Sequence, residues 1–548
     1  MRSKLLAPAV GALAISVMAV LAASTAARTP ALAAAASPAS KSPAIPCEQL
    51  ARTAFPDAKV TLAEARPAGA FAIPGPPSPF GPSSLNLPAF CRVAATLTPT
   101  SDSEIKMEVW LPANWNGKFM MVGNGVWSGA VSYSALAEPL SRGYAVASTD
   151  TGHEGLRATF AFGHREKLVD FAWRAVHETT VKGKALTAAY YGGGPKFSYW
   201  NGCSSGGKQG LKEVQMFPAD YDGVIAGAPA NDWMGLQVQS MAANLANRPK
   251  GRSPILGPAQ ISLLHKAAVG QCDALDGVTD GEIADPRKCG FKAASLVCKP
   301  GQDAATCLTA EQAAVADKLY APVRNPQTGE LIYPGMTPGS EEQWPVVIMS
   351  DWTVGTDNFA LAHDDPNWDP YSFDPVKDFA AAKAWDVGIA ATNADISAFQ
   401  ARGGKLLQYH GWADGLIAPE SSIDYHESVV AQQGGLAQAS DFHRLFMVPA
   451  MGHCGGAYGI DWIGALERWV EQGQAPDQLL GQRLPPMTFG PPPPGPPASP
   501  PDRGVRPICA YPQVATYKGS GSDKDPANFV CRPGERGARS GDQPRPTA

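Results

Sequence analysis

Ser204 stands at the centre of Gly202-Cys203-Ser204-Ser205-Gly206, inside the stretch YWNGCSSGGKQGL (199–211). A serine hydroxyl is a weak nucleophile until a base takes its proton and a carboxylate orients that base. GxSxG alone is a weak signal, and its setting sharpens it. KFSYW before it reads as a strand, the residues from about Gly207 read as a helix, and the glycines permit the tight turn that lifts a nucleophile out of a sheet. The base belongs on His453, in the glycine-flanked loop of MVPAMGHCGGA after the last strand-like run. The orienting acid belongs on Asp414 of HGWADGLIAP, just past the preceding strand. His410 falls within that strand and reads as a core residue or one behind the site. Asp424 falls on a predicted helix, so Asp414 is preferred.

Ser204 and His453 each have a cysteine neighbour, Cys203 before the one and Cys454 after the other. If hydroxyl and imidazole come within about 3 Å, these cysteines must also be close. A disulfide asks only that their Cα atoms lie about 4.4 to 6.8 Å apart. A Cys203–Cys454 bridge would therefore pin the nucleophile strand to the base loop. Two amides must also face the negative charge of an acyl-transfer transition state. Ser205, directly after the nucleophile, supplies one, and VGNGVWSG supplies the other, at Gly125 with Val126 close behind.

The elements around these residues alternate. WNGKFMMVGNG (115–125) and GYAVASTDTG (143–152) read as buried strands closed by turn residues. A helical segment at about 170–191 leads to KFSYW, the turn and its helix, and YDGVIAGAPA (221–230) is again strand-like. This pattern implies a parallel sheet with helices on both faces. It breaks from about residue 231 to 383, where cysteine, Trp, Asp, Pro and Gly replace strand alternation, as in an inserted domain. It resumes with GGKLLQYHGWAD (403–414), a helix over 421–433, HRLFMV and the amphipathic DWIGALERWVEQG. The organisation expected is a signal over 1–36, a first core part over 37–230, an insert over 231–383, a second core part over 384–489, and a Pro-rich connector with a disulfide-closed tail over 490–548.

The chain of 548 residues exceeds one ordinary domain. Its 45 Lys and Arg against 50 Asp and Glu, without a strongly basic run, argue against a nucleic-acid partner. Arg2 and Lys4, an apolar run to about Ala23 and small residues after it read as an export signal, with an uncleaved anchor as the alternative. No second apolar stretch approaches that length, so no membrane association is expected after signal removal, and the destination is periplasmic or secreted. In an oxidising compartment the ten cysteines favour five bridges, and zinc would need close CxxC or HxxxH pairs that are missing. CDALDGVTDGEIADPRKC (272–289) offers Asp273, Asp276 and Asp280 with Gly277 and Gly281 between them. Hard carboxylates at that spacing suit calcium, while an acidic surface turn is the plainer reading.

The Cys-Ser, Asp, His-Cys arrangement of Cys203 and Ser204, Asp414, and His453 and Cys454 resembles the tannase and feruloyl esterase family, over about Cys47 to Cys531. The resemblance implies an α/β fold, an α/β-hydrolase core with a large inserted lid domain, and a serine carboxylic-ester hydrolase. Its partner would be a small-molecule aromatic ester, feruloyl or galloyl, cleaved through an acyl-enzyme. It implies the bridges Cys203–Cys454, Cys47–Cys91, Cys272–Cys289, Cys298–Cys307 and Cys509–Cys531. It also implies a structural Ca2+ on Asp273, Asp276 and Asp280 with carbonyls of Val278 and Glu282, although Glu282 stands where the family carries an apolar residue. The family also tends to have a glycine at Val126. Trp344, Trp352, Phe359 and Trp368 of the lid could stack on a phenolic ring, though each individually reads as packing. Related mono-ester terephthalate hydrolases use a lid arginine and a phenylalanine three residues after the catalytic aspartate. Here that position is Ile417, and no arginine lies between Val346 and Ala384. The rivals are a serine peptidase on the same fold and a non-catalytic, calcium-bearing extracellular binding module.

Overall fold

Ten strands form one mixed sheet in the computed structural model, which describes residues 42–75, 82–351, 353–484 and 504–534. The export signal expected over 1–36, Trp352 and most of the Pro-rich connector lie outside the described residues. The strands are β1 (Ala54–Phe55), β2 (Ala58–Arg66), β3 (Phe90–Leu97), β4 (Ile105–Pro112), β5 (Lys118–Val122), β6 (Ala145–Thr149), β7 (Phe197–Cys203), β8 (Gly223–Gly227), β9 (Lys405–Gly411) and β10 (His443–Val448). Their order is 1-2-3-4-6-5-7-8-9-10. From β6 to β10 every pairing is parallel, whereas β1 to β4 join antiparallel, β4 against β6.

The parallel strands are the apolar runs that the sequence singles out. β6 and β8 are buried along their whole length, as strands covered on both faces must be. Helix α1 (Ala175–Tyr191) follows β6, α2 (Ser205–Met216) follows β7, and α3 (Trp233–Asn247) follows β8. The helical segment read at about 170–191 is continuous: α-helical residues Arg165–Val169 and a π-helical turn at Asp170–Arg174 lead directly into α1. The antiparallel strands β1 to β4 were not expected from the sequence. β3 alternates buried and half-buried residues, and the half-buried Arg92 ties it to β4 by two hydrogen bonds to Glu108, at 2.9 and 2.6 Å.

Between β8 and β9 the chain leaves the sheet, and the short strands Val323–Arg324 and Leu331–Tyr333 pair only with each other. This lid has an apolar core of its own, with Ala243, Leu264, Ala316, Trp344 and Ile348 among its buried residues. It meets the ten-stranded sheet's domain through a second cluster in which Trp127 and Phe171 pack with Trp233, Phe359 and Ile417. At the C-terminus, β11 (Gln478–Arg483) pairs antiparallel with β12 (Val505–Cys509), and the tail packs on Val278 of the acidic turn.

Candidate active site

Ser204 sits between the end of β7 and the start of α2 at φ 65°, ψ −126°. Few non-glycine residues adopt such a backbone, and the neighbouring glycines make room for it. A Cβ on Gly202 would lie 2.5 Å from the Gly206 oxygen, and one on Gly207 would lie 2.3 Å from the Gly227 oxygen. The turn is tied to β8 by the Ser204 amide donating to Gly227 (2.9 Å) and by the Ala230 amide donating to Ser204 (3.1 Å).

His453 and Asp414 lie on the loops after β10 and β9. Asp414 is fully buried, and its Oδ2 pairs with His453 Nδ1 at 2.7 Å. Oδ1 accepts the amides of Leu416 (2.8 Å) and Ile417 (3.0 Å). His410 lies behind the acid, with Nε2 3.1 Å from Asp414 Oδ2 and Nδ1 2.7 Å from Ser422 Oγ. Burial alone would raise the Asp414 carboxyl. The charge of His453 and the hydrogen bonds of both imidazoles outweigh burial and hold it well below the usual carboxylate range. Burial would lower His453, but the Asp414 carboxylate holds it above the ordinary 6.5. Nδ1 is thus engaged, which leaves Nε2 as the nitrogen to take a proton. Among the described residues no hydrogen bond joins Ser204 Oγ to that imidazole, a contact that commonly tightens only when substrate binds.

Cys203 and Cys454 are bonded, with S–S 2.08 Å and Cα atoms 5.8 Å apart, so the residues beside Ser204 and His453 share one corner. The other four bridges are Cys47–Cys91, Cys272–Cys289, Cys298–Cys307 and Cys509–Cys531. The loop of Gly125 and Ser205 on α2 are also neighbours. A Cβ on Gly123 would fall 2.5 Å from the Gly206 Cα, and the Asn124 amide donates to Gln209 on α2 at 3.2 Å. Val126, at φ 44°, takes the left-handed backbone that glycine favours.

The described lid aromatics Trp344, Phe359 and Trp368 make packing contacts. Trp344 is buried against Tyr320, with its indole NH donating to Ser340 Oγ, and Phe359 packs on Trp368 and Phe373. A lid residue the sequence reading did not single out, Gln343, touches the loops of Asp414 and His453: its Oε1 accepts the His453 amide at 2.9 Å. No local pattern marks it, because the contact runs from a side chain to a backbone amide 110 positions away.

At the acidic turn the donors are hard oxygens, but they do not converge. Among the described residues the one set of three ligand-type side chains with donor atoms mutually within 4.8 Å is His177, Glu213 and Asp220, and not Asp273, Asp276 and Asp280. Asp273 accepts the amides of Asp280 (3.0 Å) and Gly281 (2.9 Å). Asp276 pairs with Arg506, Asp280 with both Arg506 and Arg483, and the Glu282 carboxylate accepts from Tyr458 and Arg506. Guanidinium groups from β11 and β12 thus stand where the expectation puts a cation. As arranged, the side chains of Asp273, Asp276 and Asp280 are engaged by backbone amides and guanidinium groups and do not gather on one point.

A model of the tannase and feruloyl esterase family matches residues 91–532. The chain belongs to this family. It is 36% identical to an uncharacterized esterase of Xanthomonas campestris over 90% of this chain and 92% of that one. Feruloyl esterase C of Talaromyces stipitatus is 33% identical, over 88% and 94% of the two chains. The crystal structure of feruloyl esterase B from Aspergillus oryzae superposes with a TM-score of 0.82 at 32% identity, covering 89% of this chain and 99% of that one. The protein is therefore a carboxylic-ester hydrolase of the tannase and feruloyl esterase type with an α/β-hydrolase core. Its five disulfides suit an oxidising compartment, and no described helix is long and apolar enough to cross a membrane.

Proposed function

We propose that this esterase is exported and hydrolyses esters of phenolic acids, feruloyl or galloyl, through an acyl-enzyme on Ser204. The observation that carries the reading is the buried Asp414–His453 pair held beside the Ser204 elbow by Cys203–Cys454. His453 Nε2 takes the hydroxyl proton as Ser204 Oγ bonds to the carbonyl carbon. The carbonyl oxygen gathers negative charge toward the amides of Ser205 and Gly125. The imidazolium, stabilised by Asp414, then protonates the leaving alcohol as the ester bond breaks. Water enters, His453 takes its proton, and the acid leaves as Ser204 regains its hydrogen.

The relatives named as feruloyl esterases support a phenolic acyl group. Ile417 is buried, and its position beside Asp414 offers an apolar side chain where terephthalate mono-ester hydrolases are expected to carry a phenylalanine. The test is a panel of methyl ferulate, methyl gallate and mono(2-hydroxyethyl) terephthalate, run beside fluorophosphonate labelling. Labelling at Ser204 with turnover of a phenolic ester is the expected result. Labelling without turnover of either phenolic ester would remove the substrate class, and no labelling would remove the nucleophile.

A further inference from the structure

Among the lid's contacts with the loops of Asp414 and His453 is one short turn, Glu341–Gln343. Gln343 Oε1 accepts two backbone amides, from His453 at 2.9 Å and from Gly415 at 3.2 Å. One oxygen thus ties the loop of the base to the loop of the orienting acid. The turn is itself rigidly held. Glu341 is fully buried, and its carboxylate accepts the Gly339 amide (2.9 Å), the Tyr320 hydroxyl (2.6 Å) and His265 (3.0 Å). Thr337 Oγ1 donates to the Trp412 carbonyl at 2.6 Å, two residues before Asp414. Glycines admit the contact on the other side: a Cβ on Gly452 would lie 1.9 Å from Gln343 Nε2, and one on Gly415 would lie 2.9 Å from the Ser340 oxygen.

We infer that Gln343 is a positioning residue: it sets the separation of the Asp414 and His453 loops, so that a docked lid is a condition for a competent base. The inference rests on the reading of Asp414 and His453 as the orienting acid and base of Ser204. Two backbone amides from different loops meet on a single acceptor, and neither loop can shift without breaking a hydrogen bond. A displaced imidazole loses alignment with both carboxylate and hydroxyl, and misplacements of about 1 Å can cost about 100-fold in rate. Among the described residues Gln343 bonds to backbone amides and makes no hydrogen bond to Ser204 or to the imidazole ring, so its effect should fall on kcat rather than on binding.

The test compares Gln343→Met, which keeps length and loses the acceptor, with Gln343→Glu, which keeps an acceptor and adds charge. Turnover of p-nitrophenyl acetate and of methyl ferulate is followed across pH, with thermal unfolding measured in parallel. For Gln343→Met the expected result is a fall in kcat of about 10- to 100-fold with KM within about twofold. The acid limb of kcat/KM should also move down, because the imidazole is less well held by Asp414. Gln343→Glu should recover most of kcat at alkaline pH and move the acid limb up, since a carboxylate near His453 favours the imidazolium. Wild-type kcat and acid limb in Gln343→Met would overturn the inference, as would a loss seen only in KM or one that Gln343→Glu does not recover. Ser204→Ala, run beside them, separates the two levels. An active Ser204→Ala protein removes the underlying reading, whereas an inactive one with a normal Gln343→Met removes only the role of Gln343.

Discussion

Replacing Cys203 and Cys454 together by alanine tests whether their bridge acts on stability alone or also on the chemistry. The two are separated by 251 positions, and closing so long a loop limits the unfolded chain by about 5.5 kcal/mol as an upper figure. Cys298–Cys307, separated by 9, gives about 2.6 kcal/mol on the same basis. Both losses should lower the melting temperature, the first more than the second. Only the first should lower kcat. The base loop carries three non-glycine residues in the left-handed region, Ala450 (φ 50°), Cys454 (φ 65°) and Ala457 (φ 55°). Each such residue costs on the order of 1–3 kcal/mol unless its surroundings enforce it. Without the bridge this loop relaxes, and His453 moves with it. A fall in kcat of about 10- to 100-fold is expected for Cys203→Ala/Cys454→Ala at 25 °C, with the protein still folded by circular dichroism. Cys298→Ala/Cys307→Ala should keep its kcat. Wild-type kcat in a folded Cys203→Ala/Cys454→Ala protein would refute the positional argument. An equal loss in the second double variant would show that the effect is not local.

Ser204→Ala should lose at least about 10⁴-fold in kcat on p-nitrophenyl acetate while melting within a few degrees of wild type; retained turnover would assign the nucleophile elsewhere. His453 must be neutral to accept the proton and is held above 6.5, so kcat/KM should rise with pH through a midpoint above that value, and a midpoint below it would mean that Asp414 does not govern the imidazole. Arg506→Met removes a fully buried cation from Asp276, Asp280 and Glu282 and should destabilise by about 3–5 kcal/mol in denaturant titrations. With guanidinium groups balancing the acidic turn, EDTA should leave the wild-type melting temperature unchanged, and a fall of several degrees reversed by added calcium would return the ion to Asp273, Asp276 and Asp280.

How far this fold and site can be read from sequence depends on the range over which each feature is encoded. β6 and β8 are buried along their whole length and β5, β7, β9 and β10 each carry a buried, largely apolar stretch, so the parallel half of the sheet and the order Ser204, Asp414, His453 are legible. The Cys203–Cys454 contact is legible for a related reason: each cysteine is adjacent to a residue whose chemistry already demands proximity. β3 and β4 are harder, because FCRVAATL and IKMEVWLP mix charged and apolar residues, and the Arg92–Glu108 pairing that lets those charges sit in a sheet is a relation between strands.

The acidic turn and Gln343 lie beyond local reading altogether. Asp273, Asp276 and Asp280 have a spacing that suits an ion, but spacing constrains only where carboxylates can point. Their partner is decided by what the rest of the chain brings near, here Arg506, some 230 positions later in sequence. Guanidinium and calcium solve the same electrostatic problem, since each offsets several carboxylates that would otherwise repel at close range. They differ in what they demand: calcium requires oxygens converging at about 2.3–2.6 Å from one point, whereas arginine accepts them spread along a planar fork. Because the carboxylates of this turn are spread, the tail that carries Arg506 and Arg483 becomes part of what holds the lid to the hydrolase core. The lid turn that carries Gln343 is likewise held from two sides, by Glu341 with Tyr320 and His265 inside the lid and by the amides of Gly415 and His453 outside it.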